Sequence, residues 1–251
     1  MIRLLLETAT DICSVAVARG EVILAEHTAT EAFQHSSHLT LFIKQILNEA
    51  GLKPADLDEV VLSDGPGSYT SLRVGAATAK GLCFALPGLR LRTVSALAAL
   101  NLVASKEGPV LATLNSRKKE VFARLFVNGA SRLSAGPADA ARSRVRGNDE
   151  GERLLGPHNL QLSIEDWTTP YRELVGTELI TVVGPGQYRV QEFLAQNEEG
   201  FTFAAPAHCS ATHLLAPATA PNLAREEDLA TYEPFYLNPP FVTKSKKKLL
   251  G

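Results

Sequence analysis

The 251-residue sequence holds only three cysteines, Cys13, Cys83 and Cys209, odd in number and far apart. That excludes a disulfide framework or a cysteine-rich zinc site, and suits reduced, buried thiols in a cytoplasmic protein. No apolar run reaches the roughly 18 residues of a membrane span, so no membrane association is expected. The apolar run in Met1-Ile2-Arg3-Leu4-Leu5-Leu6-Glu7 is short and meets an acid at once, unlike a signal peptide. Neither sign of charge is in excess: 25 Lys and Arg face 27 Asp and Glu, a net of -2, so the global footprint of a nucleic-acid binder is missing. Solenoid repeats are absent too. The glycine loop at 65–67 is not followed by the Gly-Lys-Ser/Thr of a Walker A motif. Ser68 has no Gly-x-Ser-x-Gly elbow around it, which argues against serine-protease chemistry.

What is present is apolar content of 45%, enough for a sizeable core in one large domain or two smaller ones. The most informative stretch is Gly65-Pro66-Gly67-Ser68-Tyr69-Thr70-Ser71-Leu72-Arg73-Val74-Gly75, after the apolar run Val60-Val61-Leu62. It reads as a strand, a glycine turn and a helix start, where backbone N–H groups are unpaired and a close approach is possible. Three outcomes are open there: a phosphate cradle, with Gly65 and Gly67 as nucleotide-binding candidates; a reaction; or a docked partner. Upstream, residues 2–7, 12–19 and 22–27 read as an antiparallel meander. Residues 34–50 form a helix in which Leu39, Phe42, Ile43, Ile46, Leu47 and Ala50 make one apolar stripe. Ser36 or Ser37 is expected to cap it. The helix at 70–86 is apolar on nearly every face, which predicts that it is buried all round. A strand at 90–94 and a helix at 95–104 complete the first half. Beyond it come a hairpin around Arg117-Lys118-Lys119, an irregular stretch at 128–178, a charged loop at 142–153, a strand at 179–183 with Gly184-Pro185-Gly186, a helix at 187–196, and the basic tail Lys244-Ser245-Lys246-Lys247-Lys248.

Leu6-Glu7-Thr8-Ala9-Thr10 with Cys13-Ser14-Val15-Ala16-Val17, then His35-Ser36, the 65–75 run, Ala79-Lys80-Gly81-Leu82 and Asn115-Ser116-Arg117-Lys118-Lys119-Glu120-Val121-Phe122 resemble the TsaB (YeaZ) family. The match is dense over 1–127 and thin afterwards. The resemblance implies an α/β, two-lobed actin/sugar-kinase/Hsp70-like (ASKHA) fold with mixed sheets and flanking helices. The lobes are expected at 1–108 and 109–251. It implies a non-catalytic subunit of the bacterial machinery that makes threonylcarbamoyladenosine beside the tRNA anticodon. The expected partners are a TsaD-like catalytic paralogue and a TsaE-like ATPase, with tRNA reached through the complex and a homodimer when the chain is alone.

Catalytic members of the wider group carry a metal-binding His-x-x-x-His after the helix and strand that follow the glycine loop. The corresponding positions here are Ala96 and Leu100, and neither side chain can ligate a metal. No catalytic residue and no metal ligand is therefore assigned; ATP and a divalent metal would act in partner subunits. His35 and His38 stand three apart, but without a supporting acid they read as a helix entry. Glu7 replaces the Asp usual at the end of the first strand in this fold, which weakens it as a nucleotide-binding candidate. Partner contacts are expected from His35, Leu39, Ser68, Tyr69, Thr70, Leu72, Arg73, Val74, Ala76, Ala77 and Lys80. The alternative is an active ASKHA-fold enzyme, either a metal-dependent transferase or a small-molecule kinase.

Overall fold

Short aliphatic runs separated by turns dictate strands, and the first three pair as the meander the sequence predicts: β1 (Ile2–Glu7), β2 (Ser14–Arg19) and β3 (Val22–Thr28). Gly20 closes the β2–β3 turn at a φ of 62°, in the left-handed region that favours glycine. The computed structural model describes residues 1–29, 35–104, 108–127, 154–194, 199–206 and 208–239, and of residues 35–37 the backbone alone. Helix α1 (His35–Glu49) leads to β4 (Glu59–Ser63), α2 (Tyr69–Ala85), β5 (Arg90–Val94) and α3 (Ala96–Val103). Strand β4 runs parallel to β1, and β5 parallel to β4. All five residues of β4 are buried, as its continuous apolar run requires of a central parallel strand.

The second lobe repeats this plan. Strands β6 (Val110–Asn115), β7 (Glu120–Phe126) and β8 (His158–Gln161) form a second antiparallel meander. Helix α4 (Thr169–Val175), β9 (Ile180–Val183), α5 (Gln187–Phe193) and β10 (Phe201–Phe203) follow. Strand β9 is parallel to β6, and β10 to β9. The order β10-β9-β6-β7-β8 is therefore the same as β5-β4-β1-β2-β3. In both lobes a Gly-Pro-Gly loop links the first crossover strand to its helix. The duplicated plan is the two-lobed ASKHA architecture.

Three expectations change. The stretch at 154–178, read as irregular, contains β8 and α4. The His-Asn-Leu-Gln sequence of β8 has little strand propensity of its own and pairs because β7 supplies the register, from Glu120↔Gln161 to Ala123↔His158. The chain after about 208 does not stay in the second lobe. A 3-10 turn (Ala211–Leu214), α6 (Leu215–Thr219) and β11 (Ala224–Glu226) return to the first, where β11 pairs with β5. Ala211, Leu214, Leu215 and Ala218 cover Leu5, Ala16, Val61 and Val94 on a face of the first sheet that would otherwise be wet. The division at 108/109 thus misses a segment whose apolar spacing is too short to reveal its destination. Finally, α1 begins at His35, so Ser36 and Ser37 stand in its first turn, not before it. The loop at 142–153 and the tail at 244–248 lie outside the described residues.

Candidate functional site

Ser68 caps α2: its Oγ accepts from the Ser71 amide at 3.5 Å and lies 3.0 Å from the Ser71 hydroxyl. From there the helix presents Ser71, Leu72, Gly75, Ala76, Ala79 and Cys83 to the core. Thr70, Arg73, Ala77, Gly81, Phe84 and Ala85 are exposed, spaced as one helical stripe. Helix α2 is thus not buried all round. Sheet and α1 cover two sides and leave the third open. Helix α1 turns Leu39, Phe42, Ile43, Ile46 and Leu47 inward, as its periodicity predicts. Between the two helices runs a groove of about 430 Å³. Thr40, Lys44 and Asn48 line it from α1, Ala77, Thr78 and Gly81 from α2, and Leu52 and Pro54 at its end. The small residues Ala77 and Gly81 make the depression; a methyl group at Gly81 would meet nothing within 4 Å. Leu41 and Phe84 stand on these helices 54% and 69% exposed.

The expected contact residues divide accordingly. Thr70, Arg73 and Ala77 are exposed. Leu39, Leu72 and Ala76 face the chain's own interior and are no part of a contact surface, because their side of each helix packs on the sheets. Val74 is half-buried against the same core. Tyr69 packs its ring on Tyr236 at 4.6 Å, with the Arg73 guanidinium 5.5 Å over its face. Lys80 is half-buried and donates to the Tyr232 carbonyl at 3.2 Å. The His35 side chain lies outside the described residues. His38 stacks near Phe42, ring centres 5.7 Å apart.

A second concavity, about 390 Å³, lies between the lobes. Ala9, Thr10, Gly67, Ser68 and Tyr69 line one wall; Asn115, Ser116, Arg117, Phe122 and Arg189 line the other. Arg189 staples the β6–β7 turn: its Nη1 donates to the carbonyls of Ser116, Arg117 and Glu120 at 3.2, 2.8 and 2.8 Å. No motif in the sequence marks it; only the fold brings α5 beside that turn.

The fold family implies a nucleotide here, and the residues present do not fit a phosphate between the glycine loop and the β1–β2 turn. The Ser68 N–H already donates to the Ala9 carbonyl at 2.7 Å. A Cβ at Gly67 would lie 2.1 Å from that same oxygen, so the loop and the turn are in contact. A Cβ at Gly75 in α2 would be as crowded, 2.1 Å from Thr8 Oγ1. The glycines are thus spent on close packing. In the second lobe, a Cβ at Gly184 would lie 2.2 Å from the Thr113 carbonyl, the same device repeated. Gly65, with a φ of 102°, lies beneath the Phe235 carbonyl and not against the cavity.

Glu7 is 1% exposed and does not line the cavity. Its Oε1 accepts from the Ala9 amide at 2.7 Å. Burial pushes the carboxyl up to about 7, only partly opposed by that bond and the neighbouring Ser63 hydroxyl. A carboxyl so placed is poorly suited to hold a metal–nucleotide complex. In α3, Ala96 and Leu100 are 0% and 1% exposed and pack beside Ala112, Leu114 and Phe122 across the lobe boundary. Among the described residues, no three His, Cys, Asp or Glu side chains converge.

A model of the family described as "TsaD: tRNA N6-adenosine threonylcarbamoyltransferase" matches residues 23–165, more than half of the chain. The tRNA threonylcarbamoyladenosine biosynthesis protein TsaB of Buchnera aphidicola is 31% identical over 121 residues, 47% of this chain and 53% of the relative. TsaB of Haemophilus influenzae is 34% identical over 122 residues, 47% of this chain and 51% of the relative. A Pseudomonas aeruginosa crystal structure, described as similar to peptidase YEAZ, superposes over 94% of this chain and 99% of its own with a TM-score of 0.66 at 21% identity. The chain belongs to the TsaD family, on its TsaB (YeaZ) branch. Its matches span about half the length of these curated relatives. The structural likeness adds the fold, and it extends through the C-terminal half where the family's residues are hard to trace in the sequence. Within this TsaB branch assignment, the apolar filling of α3 stands where a histidine pair was sought.

Proposed function

We propose that this chain is a non-catalytic subunit in the biosynthesis of tRNA threonylcarbamoyladenosine, binding a TsaD-like paralogue through the α1–α2 groove. The observation that carries the reading is that groove, open and lined largely by small and aliphatic groups, between α1 and α2, the second of which opens from the family's most specific motif. Leu41 and Phe84, exposed on the same two helices, would each gain on the order of 1–2 kcal/mol if a partner buried what remains exposed. A helix pair of the same architecture laid against it would close a four-helix layer, and the same geometry supports a homodimer when the paralogue is missing. A TsaE-like ATPase would join this assembly and supply ATP turnover, while tRNA would be met through the complex.

The Ala96 and Leu100 positions support the absence of catalysis by the chain alone. The interlobe cavity favours a second reading, a small-molecule kinase or transferase of the same fold, against which the contact between glycine loop and β1–β2 turn counts. Reconstitution decides between them. With purified TsaD, TsaE, tRNA and threonylcarbamoyl donor, modification should require this chain, and the chain alone should neither modify tRNA nor hydrolyse ATP. Turnover by the isolated chain, or full modification without it, would overturn the proposal.

A further inference from the structure

The chain crosses between lobes twice on the way to β11, after α3 and after β10. It then crosses a third time. Residues 227–239 leave β11, run over the end of β4 and the start of α2, and finish on the second lobe. On the first lobe, Tyr232 is 5% exposed between exposed neighbours, and its hydroxyl donates to Asp64 Oδ1 at 3.0 Å. The Phe235 amide donates to the Asp64 carbonyl at 3.0 Å. A Cβ at Gly65 would sit 2.8 Å from the Phe235 carbonyl, so glycine there lets the segment lie flat. On the second lobe, Asn238 Nδ2 donates to Asn159 Oδ1 at 3.2 Å and to Ser116 Oγ at 3.4 Å, and Asn159 Nδ2 donates to Asn238 Oδ1 at 2.6 Å. Asn238 and Pro239 also line the interlobe cavity.

We propose that residues 227–239 are a clasp across the mouth of the interlobe cleft, plugged into the first lobe by Tyr232 and tied to the second by Asn238, which holds the lobes at one separation. At the lobe boundary Ala96 and Leu100 of α3 pack with Ala112, Leu114 and Phe122, and a contact of that kind at one side leaves rotation about it free, as a hinge does. A tie at the open side removes that freedom. Its two ends differ in strength. The Tyr232 end is an aromatic plug with a buried polar bond; the Asn238 end is a half-buried amide exchange at the surface, and it is the end that lets go first. The charged groups facing the plug are the Asp64 carboxyl, the Arg225 guanidinium 3.5 Å from it, Glu227, which Arg225 meets at 2.5 Å, and the Lys80 ammonium on the Tyr232 carbonyl at 3.2 Å. Burial holds Asp64 near a value of about 6, so acidification neutralises the acceptor of the Tyr232 bond.

Paired spin labels test this on the full chain. Lys53→Cys in the first lobe and Glu173→Cys in the second are exposed positions, whereas the native Cys13, Cys83 and Cys209 are buried and escape labelling. The otherwise unaltered chain should give one narrow interlobe distance distribution. Asn238→Ala should lengthen and broaden it, and Tyr232→Ala should do so further. Should Tyr232→Ala fail to fold, Asn238→Ala decides alone, since its side chain is half-buried and at the surface. A distance distribution that stays narrow and unshifted in Asn238→Ala overturns the clasp, even if the melting temperature falls, because a merely stabilising contact would lower the melting temperature without moving the lobes.

Discussion

Glu7→Gln offers a direct measurement of what the buried end of β1 costs. The native carboxyl is held near 7 instead of 4.5 by burial. Between those values the folded chain binds a proton that the unfolded chain does not, so the stability contribution is fully present below about 4.5 and is lost as pH rises through 7. At about 1.4 kcal/mol per tenfold change, ionised Glu7 costs the fold about 3 kcal/mol, most of it appearing between pH 5 and 8. Two other groups titrate nearby in pH. Asp64, raised to about 6, acts in the same direction between 3.8 and 6, while His213, lowered by burial to about 4, acts oppositely between 4 and 6.5. The difference between native chain and variant cancels both. Glutamine keeps a carbonyl for the Ala9 amide and carries no charge to desolvate. Urea unfolding followed by circular dichroism at pH 5 and pH 8 should therefore show Glu7→Gln gaining about 2 to 3 kcal/mol on the native chain as pH rises. Profiles that run parallel to within about 0.5 kcal/mol would refute the burial argument, and would return Glu7 to consideration as an ionised, ligand-facing group.

Ala77→Glu, made with Lys44→Ala so that the new carboxylate has no cation across the groove, should leave folding stability within about 0.5 kcal/mol and weaken TsaD binding at least about tenfold by calorimetry, from burying an unpaired charge. Unchanged affinity would place the interface elsewhere. Gly67→Ala must push the glycine loop off the Ala9 carbonyl, and a loss of about 2–3 kcal/mol in chemical denaturation is expected; a neutral result would mean that the contact gives way easily. Arg189→Ala should speed hydrogen exchange at the Glu120 amide, which closes the β6–β7 turn on the Arg117 carbonyl, because three carbonyls of that turn lose their shared donor. Unchanged protection would show that the turn stands without the staple.

Residues close in sequence were the legible ones. Glycine placement and the period of apolar residues are local, so the first meander, the β6–β7 hairpin, the stripe of α1 and the Gly-Pro-Gly junctions could be read along the chain, and the 65–75 run pointed to the family. The positions Ala96 and Leu100 likewise needed no coordinates, since side-chain chemistry alone disqualifies them as metal ligands. Which side of α2 meets solvent could not be read, because small and apolar residues surround the whole helix and the answer depends on where the sheet and α1 happen to lie. Tyr232, Arg225, Arg189 and Asn238 acquire meaning only from partners distant along the chain: Asp64, the β6–β7 turn, Asn159. The return of the chain after about 208 to cover the first sheet is of the same kind. Short, weakly periodic segments carry no address, and packing against a surface made elsewhere decides where they go.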